Sequence, residues 1–242
     1  MKMAWRLCFL LMVFLVSCKR EVLPPDAASI GKDYFPLKEG HFIEYEVDSL
    51  IYNTFTKDTD LVHIEFRDEI AGTFADNLGR TSYAIERSVR PDSNSTWTGQ
   101  MSYYATQADF EIEVVENNLR FIKLVFPVKA NTVWKGNIYI PASTSGLDEL
   151  KWYYDWDYTY GHINEDFDNG LLNFPNSVVI EYEQLTNDST SNTQYSNYTH
   201  YKESYSRNVG LIYRELTHWE YQPTDNFRNG FSVVMRAKKY NE

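Results

Sequence analysis

Cys18 is the residue of this chain best placed for covalent chemistry. It ends the run Leu15-Val16-Ser17-Cys18, which follows the cations Lys2 and Arg6 and an apolar stretch from Leu7 to Val16. A positive start, about ten apolar residues and a small residue ahead of a cysteine make a bacterial lipobox pattern at the end of a signal peptide. The expected chemistry is a diacylglyceryl thioether on Cys18 and cleavage between Ser17 and Cys18, usually with a third acyl chain such as palmitate on the new amine. The apolar run is too short to cross a bilayer, which takes roughly 20 residues. One acyl chain holds weakly, at ~0.8 kcal/mol per buried CH2, whereas two or more hold stably. Apart from this covalent lipid, no cofactor is expected.

Other chemistry finds less support in residue spacing. Cys8 lies in the apolar run and would leave with it, so neither a disulfide nor a Cys-His pair is expected in the remainder. There is no Gly-x-Ser-x-Gly elbow. The histidines are His41, His63, His162, His200 and His218, none with His-x-His or His-x-x-x-His spacing, so no zinc site is indicated. All five read as ordinary surface histidines, His63 and His218 among them. Glu165, Asp166 and Asp168 precede Gly170, but an EF-hand loop needs glycine sixth and here it is fifth, counting from Asp166. With no catalytic motif and no metal site, a non-enzymatic role is expected.

One segment could recognise a ligand. Alternation along residues 152–160 puts Trp152, Tyr154, Trp156, Tyr158 and Tyr160 on one face and Tyr153, Asp155, Asp157 and Thr159 on the other. Such a row can stack on sugar rings while nearby carboxylates bond hydroxyls. It can equally be the core face of a strand, and Trp219 and Tyr221 could extend either arrangement.

Composition narrows the partners. Net charge is −11, and loss of Lys2 and Arg6 would make the remainder more acidic still, which disfavours nucleic acid and anionic headgroups. The membrane partner is therefore expected to be held by lipid rather than by charge. Aromatics are 16% of the chain, with 19 tyrosines, in keeping with a β-rich extracytoplasmic protein.

The elements that must carry these residues read as strands. Residues 1–17 are the expected signal peptide. Residues 18–33, with Pro24, Pro25 and Gly31, read as lipidated cysteine and flexible tether. From residue 34 to 242 a single β-rich domain is predicted. Ile43, Tyr45 and Val47 alternate with Glu44, Glu46 and Asp48; Val62, Ile64 and Phe66 alternate with His63, Glu65 and Arg67. Asn117-Asn118 predicts a hairpin turn, and Asn169-Gly170, Asn208 to Gly210 and Asn229-Gly230 predict further breaks. Leu119 to Val128 is apolar on both faces and predicts a central strand. Lys151 to Ile163 predicts another strand, and Ser145 to Lys151 a short helix. The fold class is all-β, a mostly antiparallel sandwich or barrel, closed or half-closed, of about ten to twelve strands with at most one or two short helices. An echo between Phe35-Pro36-Leu37-Lys38 and Phe126-Pro127-Val128-Lys129 suggests two related halves, 34–125 and 126–242.

The stretch Tyr34-Phe35-Pro36-Leu37-Lys38-Glu39-Gly40, shortly after Cys18, resembles the domain opening of a group of uncharacterised Gram-negative outer-membrane-type lipoproteins. Phe126-Pro127 with Trp134, and Asn208-Val209-Gly210-Leu211-Ile212-Tyr213-Arg214-Glu215, look like further pieces of that pattern. Asn208 stands where glycine is frequent, and Ile43 or Tyr45 replaces the usual first-strand Trp. The resemblance implies an extracytoplasmic β-rich lipoprotein and assigns no residue a role. The expected location is the outer membrane, on its periplasmic or surface face. Three functions are open: a binding or envelope-structural role with an envelope protein or other ligand, glycan binding through the row at 152–160, and carriage of a lipid or lipoprotein in an apolar cavity.

Overall fold

A sheet with alternating apolar and polar residues has one face to hide, and curling on itself hides that face without a second sheet. In the computed structural model, which describes residues 26–140, 152–186 and 193–241, this is what happens. The first six strands are β1 (Phe42–Asn53), β2 (Asp58–Ala75), β3 (Thr81–Arg90), β4 (Thr98–Gln107), β5 (Glu111–Glu116) and β6 (Leu119–Val125). The next six are β7 (Val133–Lys135), β8 (Asp157–Asp168), β9 (Asn173–Thr186), β10 (Ser196–Ser206), β11 (Gly210–Gln222) and β12 (Phe227–Tyr240). They form one antiparallel 12-stranded sheet in the order β6-β5-β4-β3-β2-β1-β12-β11-β10-β9-β8-β7. All adjacent pairs except β1–β12 are neighbours in sequence, as in an up-and-down meander. Among the described residues, the two suggested halves, 34–125 and 126–242, each hold six strands.

The sheet ends, β6 and β7, meet and nearly close the barrel. The Ile122 amide donates to the Gly136 carbonyl at 2.8 Å, and Trp134 Nε1 donates to the Ile122 carbonyl at 2.9 Å. The Tyr160 hydroxyl accepts from the Val125 amide and donates to its carbonyl, both at 2.8 Å. The sequence expectation of a central strand at Leu119 to Val128 is therefore corrected: β6 is terminal in the sheet. Its edge is met at this seam by side-chain hydrogen bonds and a backbone bond rather than by a full ladder.

Residues 26–41 plug one end. A one-turn helix α1 (Ala27–Ile30) and a 3-10 turn (Lys32–Tyr34) lie against the turns at 126–132 and 207–209. The Val128 amide donates to the Ile30 carbonyl, and the Asn208 amide to that of Asp33. Arg207 grips Asp33 at 2.6 Å, and Tyr34, fully buried, donates to Asn164 Oδ1. Residues 26–33 are thus docked rather than free tether, because Ile30 and Tyr34 have apolar surface to bury and Asp33 has a cation waiting. Ser17, Cys18 and the rest of the expected signal and anchor lie outside the described residues.

The turn readings divide. Asn117 and Asn118 both take left-handed backbone, with φ of 52° and 63°, as a tight hairpin requires. Asn229-Gly230, expected as a break, instead lies inside β12, and the turn is at 223–226. Gly230 is needed there for space, since a Cβ would sit 2.1 Å from the His218 carbonyl oxygen. The strand expected from Lys151 starts only at Asp157. The helix expected over Ser145 to Lys151 falls outside the described residues.

Candidate functional site

The aromatic row divides between turn and core. Trp156, Tyr158 and Tyr160 are 0%, 1% and 4% exposed and point into the barrel. Tyr158 stacks on Tyr201 and Trp156 on Tyr182. Trp152 and Tyr153 form a 3-10 turn ahead of the strand, and Tyr154, 48% exposed, lies on the turn beyond it. The expected flat sugar-stacking strip is therefore corrected. Strand alternation begins only at Asp157, and the side chains it directs inward are core. His41 and His218 are also corrected from surface to buried. His41 Nε2 lies 2.8 Å from the Val209 carbonyl, and His218 sits on the inner face of β11, 2.8 Å from Thr199 and stacked on Trp152 at 4.3 Å.

The chemistry inside the barrel comes from residues that the sequence reading did not single out. Asp68 on β2, Arg87 on β3, Glu116 on β5, Lys123 on β6, Glu203 on β10 and Arg214 on β11 form a charged belt across the interior. Arg87 donates through Nε and Nη2 to both oxygens of Asp68 at 2.7 Å, and through Nη1 to Glu116 Oε1 at 2.9 Å. Tyr103 adds a hydroxyl bond to Asp68 at 2.9 Å. Across the barrel, Glu203 accepts from Arg214 Nε at 2.7 Å, Lys123 Nζ at 3.1 Å and the Tyr205 hydroxyl at 2.7 Å. Lys123 Nζ also bonds the Tyr201 hydroxyl.

Three acids face three cations, so the belt is balanced. Burial alone would push the Glu203 carboxyl up, but Lys123, Arg214 and the tyrosine hydroxyls outweigh it and hold it at about 2. Glu116 is likewise lowered, burial being overcome first by Arg214 and then by Arg87. Burial raises Tyr45, Tyr103, Tyr158, Tyr201 and Tyr205 well above their ordinary value, so they remain hydroxyl donors. Carboxylates held this low suit hydrogen-bond recognition better than proton transfer near neutrality.

One group in the belt is incompletely used. Arg214 spends Nε on Glu203, but its terminal nitrogens make no hydrogen bond among the described residues. Nη1 is 3.6 Å from Glu116 Oε2, beyond bonding distance, and that oxygen likewise has no hydrogen bond among them. Arg214 lines two cavities. The lower, about 60 Å3, lies between the belt and the plug beside Phe35, Pro36 and Ile70. The upper, about 210 Å3, has Arg87, Glu116 and Arg214 at its polar end and Val47, Phe66, Leu216, Val233 and Met235 along its walls. Tyr153 also lines the upper cavity, in a turn held by Trp152 against His218 and Phe231. An apolar cavity of ~150 Å3 already admits benzene; the upper cavity is larger and polar at one end.

A signal for the belt was present in the sequence. Asp68 stands two residues from both Phe66 and Ile70, Arg87 two from Ile85 and Val89, and Glu203 two from Tyr201 and Tyr205. Charges in the inward register of a strand are costly unless paired, and such positions mark a buried network.

No family model and no curated protein matches the chain. Solved structures do match. A "putative exported protein with YmcC-like fold" from Bacteroides fragilis is similar at 10% identity and a TM-score of 0.38, over 86% of this chain and 98% of that one. A "putative lipoprotein" from Parabacteroides distasonis is similar at 13% identity and a TM-score of 0.42, with the same coverage. Neither name specifies a ligand or an activity.

Proposed function

We propose that this protein is a lipid-anchored extracytoplasmic binding protein that holds a small amphipathic molecule in the upper cavity of its barrel. The observation that carries the reading is the pairing of apolar walls with Arg214, whose terminal nitrogens make no hydrogen bond among the described residues. Polar groups of this kind in an apolar pocket orient a ligand, while the walls supply most of its affinity. The anchor in this reading is Cys18. The carrier hypothesis narrows with it. A cavity of about 210 Å3 suits a ring-sized body, and the charged belt fills the interior below it, so a whole acyl chain would have to project out of the barrel.

The test uses the full chain in lipid nanodiscs, titrated with p-xylene and with 4-methylbenzamide and followed by saturation-transfer NMR. Saturable binding of either probe, lost when Val233→Trp fills the cavity, is the expected result. Failure of both probes to bind would overturn the cavity reading. Cys18→Ala should release the protein from the membrane fraction and abolish lipid labelling; retention of both would overturn the anchor.

A further inference from the structure

We infer that the ligand of the upper cavity has an uncharged head that both accepts and donates hydrogen bonds, such as a primary amide or an alcohol, joined to a compact apolar body. This rests on the cavity-binding reading above.

The argument starts from charge. Asp68, Glu116 and Glu203 are matched by Arg87, Lys123 and Arg214, and each of the six lies in an ion pair with an opposite member. A buried ion is tolerated only when it is paired. A carboxylate or phosphate reaching Arg214 would bring an unmatched negative charge up to Glu116, whose Oε2 lies 3.6 Å from Arg214 Nη1. An ammonium reaching Glu116 would bring an unmatched positive charge up to Arg214 and Arg87. A head of either sign therefore meets repulsion from the like-charged member of the pair.

Hydrogen-bond inventory makes the positive case. Among the described residues, the open groups at the polar end are a donor, the terminal nitrogens of Arg214, an acceptor, Glu116 Oε2, and beside them the Tyr153 hydroxyl, which can play either part. Arg214 Nη1 and Glu116 Oε2 are too far apart to hydrogen-bond each other and close enough for one small group to touch both. An amide offers a carbonyl oxygen to Arg214 and an N–H to Glu116, and a hydroxyl does the same with one atom. Asn117 lies at the rim, where its side chain can bond a second polar atom of the head. Beyond the head, Phe66, Leu216, Val233 and Met235 offer no polar partner, so the body must be apolar.

A matched series tests this on the full chain in nanodiscs: 4-methylbenzamide, 4-methylbenzoate, 4-methylbenzylammonium and p-xylene, four probes of one shape that differ at the head. The amide should bind about tenfold more tightly than each of the others, the discrimination expected of one charge-assisted hydrogen bond. Equal or tighter binding of the benzoate, the benzylammonium or p-xylene would overturn the inference and leave the cavity reading standing. No binding by any of the four would remove both. Arg214→Met should abolish the preference for the amide and spare p-xylene. Because that variant leaves Glu203 with Lys123 as its one bonded cation and can fail to fold, Glu116→Gln is the companion. It removes one negative charge from the belt, and the benzoate should gain on the amide by about tenfold. An unchanged ranking in Glu116→Gln would overturn the charge-balance argument.

Discussion

Glu203 shows how much of this fold rests on a single side chain. It is fully buried, ionised, and bonded to residues of three strands: Lys123 of β6, Arg214 of β11 and Tyr205 of its own β10. Removing one partner from a buried ion pair leaves its counter-charges unmatched. Glu203→Gln is expected to destabilise the protein by about 3–5 kcal/mol, read from the urea midpoint at neutral pH. The lowered carboxyl also fixes the sign of the acid response. Its stabilisation is present above the unfolded value of 4.5 and lost as pH falls toward about 2, and the variant should lack this acid-limb loss. The register of Glu203 between Tyr201 and Tyr205 was readable from the sequence, whereas its partners were not. Lys123 lies 80 residues away, at the far side of the barrel, and no local pattern joins the two.

At the scale of strands, period-two alternation made β1 and β2 legible, and turn chemistry the Asn117-Asn118 hairpin, because each obeys local rules. The seam was not legible. It is made by the Tyr160 hydroxyl, the Trp134 indole and one backbone bond from Ile122 to Gly136, contacts that depend on which strands end the sheet. The same ignorance misplaced β6 at the centre. Gly136 leaves no room for a side chain at the seam, since a Cβ there would lie 2.0 Å from the Tyr158 ring. Gly136→Ala must push Tyr158 off its stack on Tyr201, at a cost of about 1–3 kcal/mol for an overpacked site. Hydrogen exchange should show it first as faster exchange of the Ile122 amide, with β1 and β2 little changed. Equal acceleration in β1 and β6 would mean that the seam has no separate weakness.

Over the whole molecule, charge sets a pH profile. The chain is acidic, and on the outer wall His200 of β10 lies between Glu181 of β9 at 2.9 Å and Glu215 of β11 at 3.5 Å. Tyr198 stacks beside the imidazole, and Tyr213 donates to Glu215. Glu215, the less exposed acid, contributes most and Glu181 adds to it, so that despite burial His200 is raised from 6.5 to about 9. The resulting stabilisation is complete below pH 6.5 and disappears as pH rises through about 9. After solvent screening it is on the order of 1 kcal/mol. Wild type and His200→Gln should differ in urea midpoint at about pH 6 and converge near pH 10; a constant gap would sink the assignment. A barrel was among the sequence expectations, but which strands join its two halves was beyond sequence reading, because β1 and β12 come together from far apart in the chain. The Asn241 side chain accepts from the Phe42 amide across 199 residues. That closure has a consequence in time. β1 precedes by many strands the one that covers its second edge, so that edge stays open until β12 arrives. During that interval a nascent sheet with an open edge and a charged, half-built interior must be kept from pairing with its neighbours. The docking of β12 on β1 is therefore the step that withdraws this edge from aggregation.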